Sequence, residues 1–201
     1  MILKALQLII RQLNEYIDSQ GGPVEVVLGN VAMIDSQPQM NLENKVILSL
    51  VNIEEESTLK NNWSYNRIDN RVQYSEPPVY LNLYLLFSSN HPQAYDNAVR
   101  RLSDVISFFQ SRKTFNINNA SSLHEELNVE HHEDQRLSLT IELYTMTFEQ
   151  INHLWGSLGG KQIPFVMYKA RLVEINTSAV KSSRRLIEEV HGNSNVSNQN
   201  P

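Results

Sequence analysis

Asn152–Lys161 (NHLWGSLGGK) ends in glycines before a lysine, a residue set that can wrap a phosphate in backbone N–H groups. That chemistry needs four residues between the first glycine and the Gly-Lys pair, then a Ser or Thr for the metal ion. Here only Ser157, Leu158 and Gly159 separate Gly156 from Gly160, and Gln162 follows Lys161. The spacing excludes a nucleotide cradle. The preceding residues explain the glycines in another way. Thr147-Phe148-Glu149-Gln150 has the form of a capping box, and Ile151, Leu154, Trp155 and Leu158 recur at helical spacing. Gly159 and Gly160 then fall where a left-handed residue ends a helix, with Pro164 shortly beyond.

Metal chemistry is suggested by His124, His131 and His132, which lie among Glu125, Glu126, Glu130, Glu133 and Asp134. No H-x-x-x-H or H-E-x-x-H pair sets two of these histidines on one helical face, so the stretch reads as a solvated acidic loop. Glu43-Asn44-Lys45, with Asp35 upstream, resembles the E-x-K arrangement of metal-dependent nucleases, where carboxylates gather a divalent ion and lysine attends the attacking water. Here the triplet precedes its strand, so a nuclease remains only an alternative. Ser, His and Asp are present without a nucleophile elbow, so no triad is assigned. No catalytic, cofactor-binding or metal residue follows from these patterns. Glu54-Glu55-Glu56 reads as a cation site, a recognition patch for a basic partner or, most commonly for such runs, a solvated strand end; following a buried strand directly, the three carboxylates have fixed positions that also suit a contact with a neighbouring subunit.

The bulk properties narrow the class. The chain has 201 residues, 41% of them hydrophobic and 19% charged, as expected for one globular domain with a real core. A net charge of −5 argues against a nucleic-acid surface as the main function. No run is long enough to span a bilayer, and Met1-Ile2-Leu3-Lys4-Ala5-Leu6 lacks the features of a secretory signal. Synthesis and residence in the cytoplasm are expected. There are no cysteines, which removes disulfides, thiol nucleophiles and thiolate metal sites together.

The elements that position these residues can be read from periodicity. Residues 2–18 predict a helix burying Ile2, Leu6, Ile9, Ile10, Leu13 and Ile17, with Lys4, Arg11, Asn14, Glu15 and Asp18 facing away and Gly21-Gly22-Pro23 stopping it. Val24–Leu28 reads as a short strand, residues 29–44 as a polar loop, and Val46–Ile53 as a strand covered on both faces. Residues 57–77 read as a long polar loop, and Pro77-Pro78 opens the next strand. There Val79, Leu81, Leu83, Leu85 and Phe87 oppose Tyr80, Asn82, Tyr84 and Leu86. Asn90-His91-Pro92 predicts a cap for a helix over 93–111, with Ala94, Ala98, Val99, Leu102, Val105, Ile106 and Phe109 inward and charge pairs Asp96/Arg100 and Arg100/Asp104. Residues 112–135 read as irregular.

In Leu137–Tyr144, Leu137, Leu139, Ile141 and Leu143 alternate with Ser138, Thr140, Glu142 and Tyr144, giving a strand with one wet or partner-facing side. Val166–Ile175 is the last strand, 178–190 a weak helix and Gly192–Pro201 a flexible tail. The expected class is α/β (α+β): a mixed sheet of about five strands with helices packed on it. Residues 1–176 form one domain and 177–201 an extension.

Asn44–Asn61 (NKVILSLVNIEEESTLKN), Pro77–Ser88 (PPVYLNLYLLFS), Arg100–Gln110 (RRLSDVISFFQ), Asn152–Lys161 and Pro164–Arg171 (PFVMYKAR) supply a further clue. Together they are similar to the family that includes the tube-terminating cap protein of extracellular contractile injection systems, of the antifeeding-prophage and virulence-cassette type. The resemblance spans roughly Leu6 to Ile175. It implies a tail-terminator-like fold and a structural role without catalysis or cofactor. The implied assembly is a homohexameric ring on the end of the inner tube away from the baseplate, which stops polymerisation and anchors the last sheath layer. The implied partners are other copies of the chain, the inner tube protein and the sheath protein, with no nucleic acid and no membrane. The particle would be released outside the cell. Family members often carry a second C-terminal region, so an adaptor ring between tube and a separate cap is the alternative. Glu54, Glu55, Glu56, Asn82, Tyr84, Glu142 and Tyr144 are the residues expected at subunit or tube interfaces.

Overall fold

The structure, a computed structural model, describes residues 2–21, 25–34, 41–56, 65–68, 71–75, 79–116, 138–175 and 180–185. Two compact units share the chain. The larger begins with helix α1 (Ile2–Ser19), strand β1 (Val26–Leu28), a 3-10 turn at Val31–Met33 and strand β2 (Lys45–Glu55). It continues through β5 (Val79–Asn90), α2 (Tyr95–Ser111), β6 (Thr114–Asn116), β7 (Ser138–Leu143), α3 (Phe148–Ser157) and β8 (Phe165–Ile175). The smaller unit holds β3 (Tyr65–Ile68), β4 (Arg71–Ser75) and β9 (Val180–Arg185).

The larger unit is a six-stranded mixed sheet in the order β1-β2-β5-β8-β7-β6. Only β1 runs parallel to its neighbour; every other pair is antiparallel. The mixed α+β class is the expected one, and β6 supplies a strand that the polar 112–135 stretch does not reveal.

Alternation along β5 fixes the layers. Leu83, Leu85 and Phe87 enter one core with Leu6, Ile9, Leu13 and Ile17 of α1 and Val105, Phe108 and Phe109 of α2. Leu86 points the other way, into a smaller cluster with Val31 and with Trp155 of α3. Two helices therefore cover one face of the sheet and α3 covers part of the other. An aromatic group of Phe87, Phe108, Phe109, Phe115 and Tyr168 anchors the larger core at ring separations of 4.5–5.9 Å. Such pairs contribute beyond their area burial.

The α3 region follows its sequence closely. Thr147 caps the helix by accepting from Gln150 N, and the Gln150 side chain accepts from Thr147 N, completing the capping box. At the other end Gly160 N donates to Trp155 O at 2.6 Å. Gly159 and Gly160 have φ of +105° and +79°, the left-handed region that a side chain resists.

Elsewhere the structure departs from expectation. Residues 57–77 are not one loop, because β3 and β4 pair antiparallel there from Tyr65↔Tyr74 to Ile68↔Arg71. Within 178–190, Val180–Arg185 is a strand and not a helix; β9 pairs with β4. These short polar strands are held by main-chain pairing, which leaves no hydrophobic period to read. Residues 192–201 lie outside those described.

The second helix also starts later, at Tyr95 after Ala94, with no side-chain cap. Asn90 is the last residue of β5, and its amide donates to Leu42 O instead. Asp104 pairs with Arg101 rather than Arg100. The inward side of α2 is Ala98, Val105, Phe108 and Phe109, whereas Val99 and Ile106 are exposed. In α1, Ala5 and Leu8 join the buried side. Asn14 does not face away: its side chain bonds both N and O of Val26, occupying main-chain groups of the edge strand β1.

Candidate functional site

Beyond α3, the second face of the sheet carries a band of polar side chains across four strands. A β-bulge in β2 makes it possible. Leu50 lies opposite Leu85 but Asn52 lies opposite Tyr84, so Val51 is the extra residue. Val46, Leu48 and Leu50 share the face covered by α1 and α2. With unbroken alternation Asn52 and Glu54 would follow them there. The extra residue inverts the parity and sends both to the opposite face, beside Tyr84 and Asn82.

Two rows result. Asn52, Tyr84, Lys169 and Glu142 align across β2, β5, β8 and β7. Glu54, Asn82, Arg171 and Thr140 form the row beside it. The side chains then interlock between rows. Tyr84 Oη donates to Glu54 at 2.7 Å, and Asn82 Nδ2 donates to Glu56 at 2.9 Å. Arg171 donates to Glu142 at 3.1 Å, and Lys169 Nζ lies 5.9 Å from the Tyr84 ring centroid. The Tyr144 ring meets Tyr84 edge-on at 5.1 Å.

The Glu54 carboxylate, by accepting a hydrogen bond from the phenol, holds Tyr84 in its neutral form; burial and further negative charge add to this, pushing its pKa up to about 12. Asn82 is only 4% exposed, and its Oδ1 has no hydrogen-bond partner among the described residues. An acceptor in that position favours any donor that can reach it.

Of the residues expected at interfaces, Glu54, Glu56, Asn82, Tyr84, Glu142 and Tyr144 are gathered on this band. Glu55 is not: it lies opposite Leu81, with the parity of the helix-covered face. The expected set omits Lys169 and Arg171. Their signal is present in the alternation of Met167-Tyr168-Lys169-Ala170-Arg171, in which Tyr168 and Ala170 are core.

The other sequence patterns are dispersed. Lys45 of the nuclease-like triplet contacts Glu25 at 2.7 Å, and Asp35 lies outside the described residues. So does the whole His124–Asp134 stretch. Among the described residues no group of three His, Asp or Glu is placed to hold a metal ion, and no helix is long and apolar enough to cross a membrane. His91, beside Ser89 at 3.1 Å, is pushed below the usual histidine range by burial and then by the Arg101 charge.

The chain is similar in fold to a solved sheath/tube terminator of an extracellular contractile injection system (PVC) in its extended state. That alignment has TM-score 0.55 and 13% identity, and covers 98% of this chain and 65% of the terminator. A solved anti-feeding prophage cap, a tube-terminating cap, aligns at TM-score 0.48 with 13% identity, over 75% of this chain and 49% of the cap. The chain thus spans about 65% and 49% of the lengths of these two proteins. No curated protein sequence matches it. The family described as the Pvc16 N-terminal domain matches residues 5–189, nearly the whole sequence. This chain belongs to the Pvc16 N-terminal domain family.

Proposed function

We propose that this chain is a non-enzymatic terminator, which closes the end of the tube and its sheath in an extracellular contractile injection particle. The observation that carries the reading is the family match over residues 5–189. The shared fold with a sheath/tube terminator, covering 98% of the chain, supports it. In this reading copies of the chain form a ring, sixfold by the resemblance of its motif blocks. The ring assembles in the cytoplasm on the inner tube and sheath proteins, needing neither nucleic acid nor membrane.

The physical requirement is simple. A head-to-tail stack of rings has an open interface and grows without limit. Termination needs one surface that fits the tube end and another that offers the next ring nothing. The polar band suits the first surface, because the exposed Glu54, Glu142 and Arg171 and the half-buried Glu56 and Lys169 offer charged groups on the sheet, with Tyr84 and Asn82 beneath them bonding Glu54 and Glu56. Charged side chains arranged in this way select a partner and its register more than they add affinity.

Tube growth followed by light scattering tests the reading. Substoichiometric chain added to growing tube protein is expected to stop elongation at a plateau set by the number of ends. Elongation that continues unchanged at equimolar chain contradicts it.

A further inference from the structure

We infer that neighbouring copies of this chain dock by charge, the acidic segment His124–Asp134 of one copy running along the open edge of β9 in the arginine-rich β3-β4-β9 sheet of the next. This contact rests on the proposed ring and names two surfaces that would close it.

The small sheet has a one-sided composition. β3, β4 and β9 read YNRI, RVQYS and VKSSRR, which is five cations (Arg67, Arg71, Lys181, Arg184 and Arg185) in 15 residues, with no Asp or Glu. The chain as a whole has the reverse bias, with 17 Lys and Arg against 22 Asp and Glu. Pairing then sets the cations beside one another. Arg71 lies directly opposite Arg185, and Arg67 and Arg184 flank Val72 in the adjacent row. Like charges directly opposite in an antiparallel pair destabilise it, so the register works against the charges it brings together. An anion alongside relieves that conflict.

The edge at β9 is the place for one. It ends the order β3-β4-β9, and among the described residues it has no second neighbour beyond β4. Arg184 and Arg185 are consecutive and therefore belong to opposite faces of the sheet. A partner resting on either face meets one of them; a partner running along the edge meets both. An extended polypeptide does this naturally, because its own side chains alternate between the two faces. Cations on an edge ordinarily keep strands away. Here they would refuse a neutral or basic strand and admit an acidic one.

The sequence supplies the occupant. His124–Asp134 (HEELNVEHHED) holds five acids, Glu125, Glu126, Glu130, Glu133 and Asp134, with no Lys or Arg. Five anions thus answer five cations. The consecutive acids Glu125-Glu126 and Glu133-Asp134 would fall on opposite faces of an extended chain, as Arg184 and Arg185 do. The segment belongs to the 21 residues joining β6 to β7, outside those described. A connection of that length can reach out and back over about 35 Å. Edge and segment are different surfaces of identical chains. Such a contact is heterologous and either closes into a ring or runs on as a filament.

Two charge reversals of the full chain supply the test, read by light scattering after size exclusion and by imaging of tube ends. One is Arg184→Glu/Arg185→Glu; the other is Glu125→Lys/Glu126→Lys/Glu130→Lys/Glu133→Lys/Asp134→Lys. Each alone is expected to be monomeric where the parent forms a ring, with the parent's circular dichroism spectrum. Mixed in equal amounts, they are expected to regain the ring, since each supplies the charge that the other lacks. The milder Arg184→Gln/Arg185→Gln is expected to weaken the ring at least tenfold. A reversal that keeps the parent ring, or a mixture of folded chains that stays monomeric, overturns the contact. So does a parent that binds a single-stranded oligonucleotide through Arg184 and Arg185 while its oligomeric state ignores the acidic segment. A parent that arrests tube growth as a monomer overturns the contact and leaves the function intact. Rings that recover on mixing but never arrest tube growth support the contact and overturn the proposed function.

Discussion

The two faces of β5 are specified by different physics. On one, Leu83, Leu85 and Phe87 are fully buried under α1 and α2, where only shape and volume decide what fits. On the other, Asn82 and Tyr84 are nearly as buried, yet each donates to a carboxylate of the β2 end. An apolar face tolerates exchange of one hydrocarbon for another of similar volume. A hydrogen-bonded face does not, since removing one partner strands the other. The first face holds the fold together, and the second is the one on which the proposed tube contact rests.

Substitutions on each face should separate these roles. Phe87→Ala, which empties space beside Phe109 and Tyr168, is expected to cost about 3–5 kcal/mol in urea unfolding. If the loss were below about 1 kcal/mol, the apolar face would not be the stabilising one. Tyr84→Phe keeps the ring and deletes the bond to Glu54, with an expected cost of about 1–2 kcal/mol. Its pH dependence follows from the sign of the shift. The folded pKa, about 12, lies above the ordinary tyrosine value of 10.0, so the bond's contribution is complete below pH 10 and lost as pH rises through 12. Tyr84→Phe should therefore flatten the alkaline limb of stability against pH.

Where β5 ends, His91 gives the opposite sign. Its folded pKa lies below 6.5, so the unfolded chain takes up the proton first as pH falls. Stability should be complete above pH 6.5 and decline as pH falls through the folded value. His91→Asn should remove that slope in unfolding titrations. The smallest effect on stability belongs to Glu142→Ala. Its bond to Arg171 is at the surface, so the change is expected to stay under about 0.5 kcal/mol while tube binding falls severalfold. Equal losses of stability and binding would mean that the polar band is only part of the fold.

Much of this contrast is legible in the amino-acid sequence where periodicity is strict. Alternation in β5 and β7 is enough to put Asn82, Tyr84 and Glu142 on the polar sides of their strands, and the Thr147–Gln150 box marks the start of α3. The bulge at Val51 is not legible, because VILSLVNI is largely apolar and hides a change of parity. That change is what carries Glu54 to Tyr84 and leaves Glu55 behind. The strands β3, β4 and β9 escape for the opposite reason: their sequences have too little apolar pattern to mark a face, and β9 finds its partner far along the chain. In α2 the apolar stripe is wider than the sheet beneath it can cover. Val99 and Ile106, which fit a core by spacing, are therefore left at the surface.

Imaging of tube ends by cryo-electron microscopy, with the chain and its Lys169→Glu/Arg171→Glu variant, decides whether the chain closes tubes through the polar band. A terminator should give ring density at one end of each tube, with the band of Tyr84, Lys169 and Glu142 toward the last tube layer, and bare ends with the variant. Tube ends that stay bare with the unaltered chain, or density that the variant preserves, would contradict it.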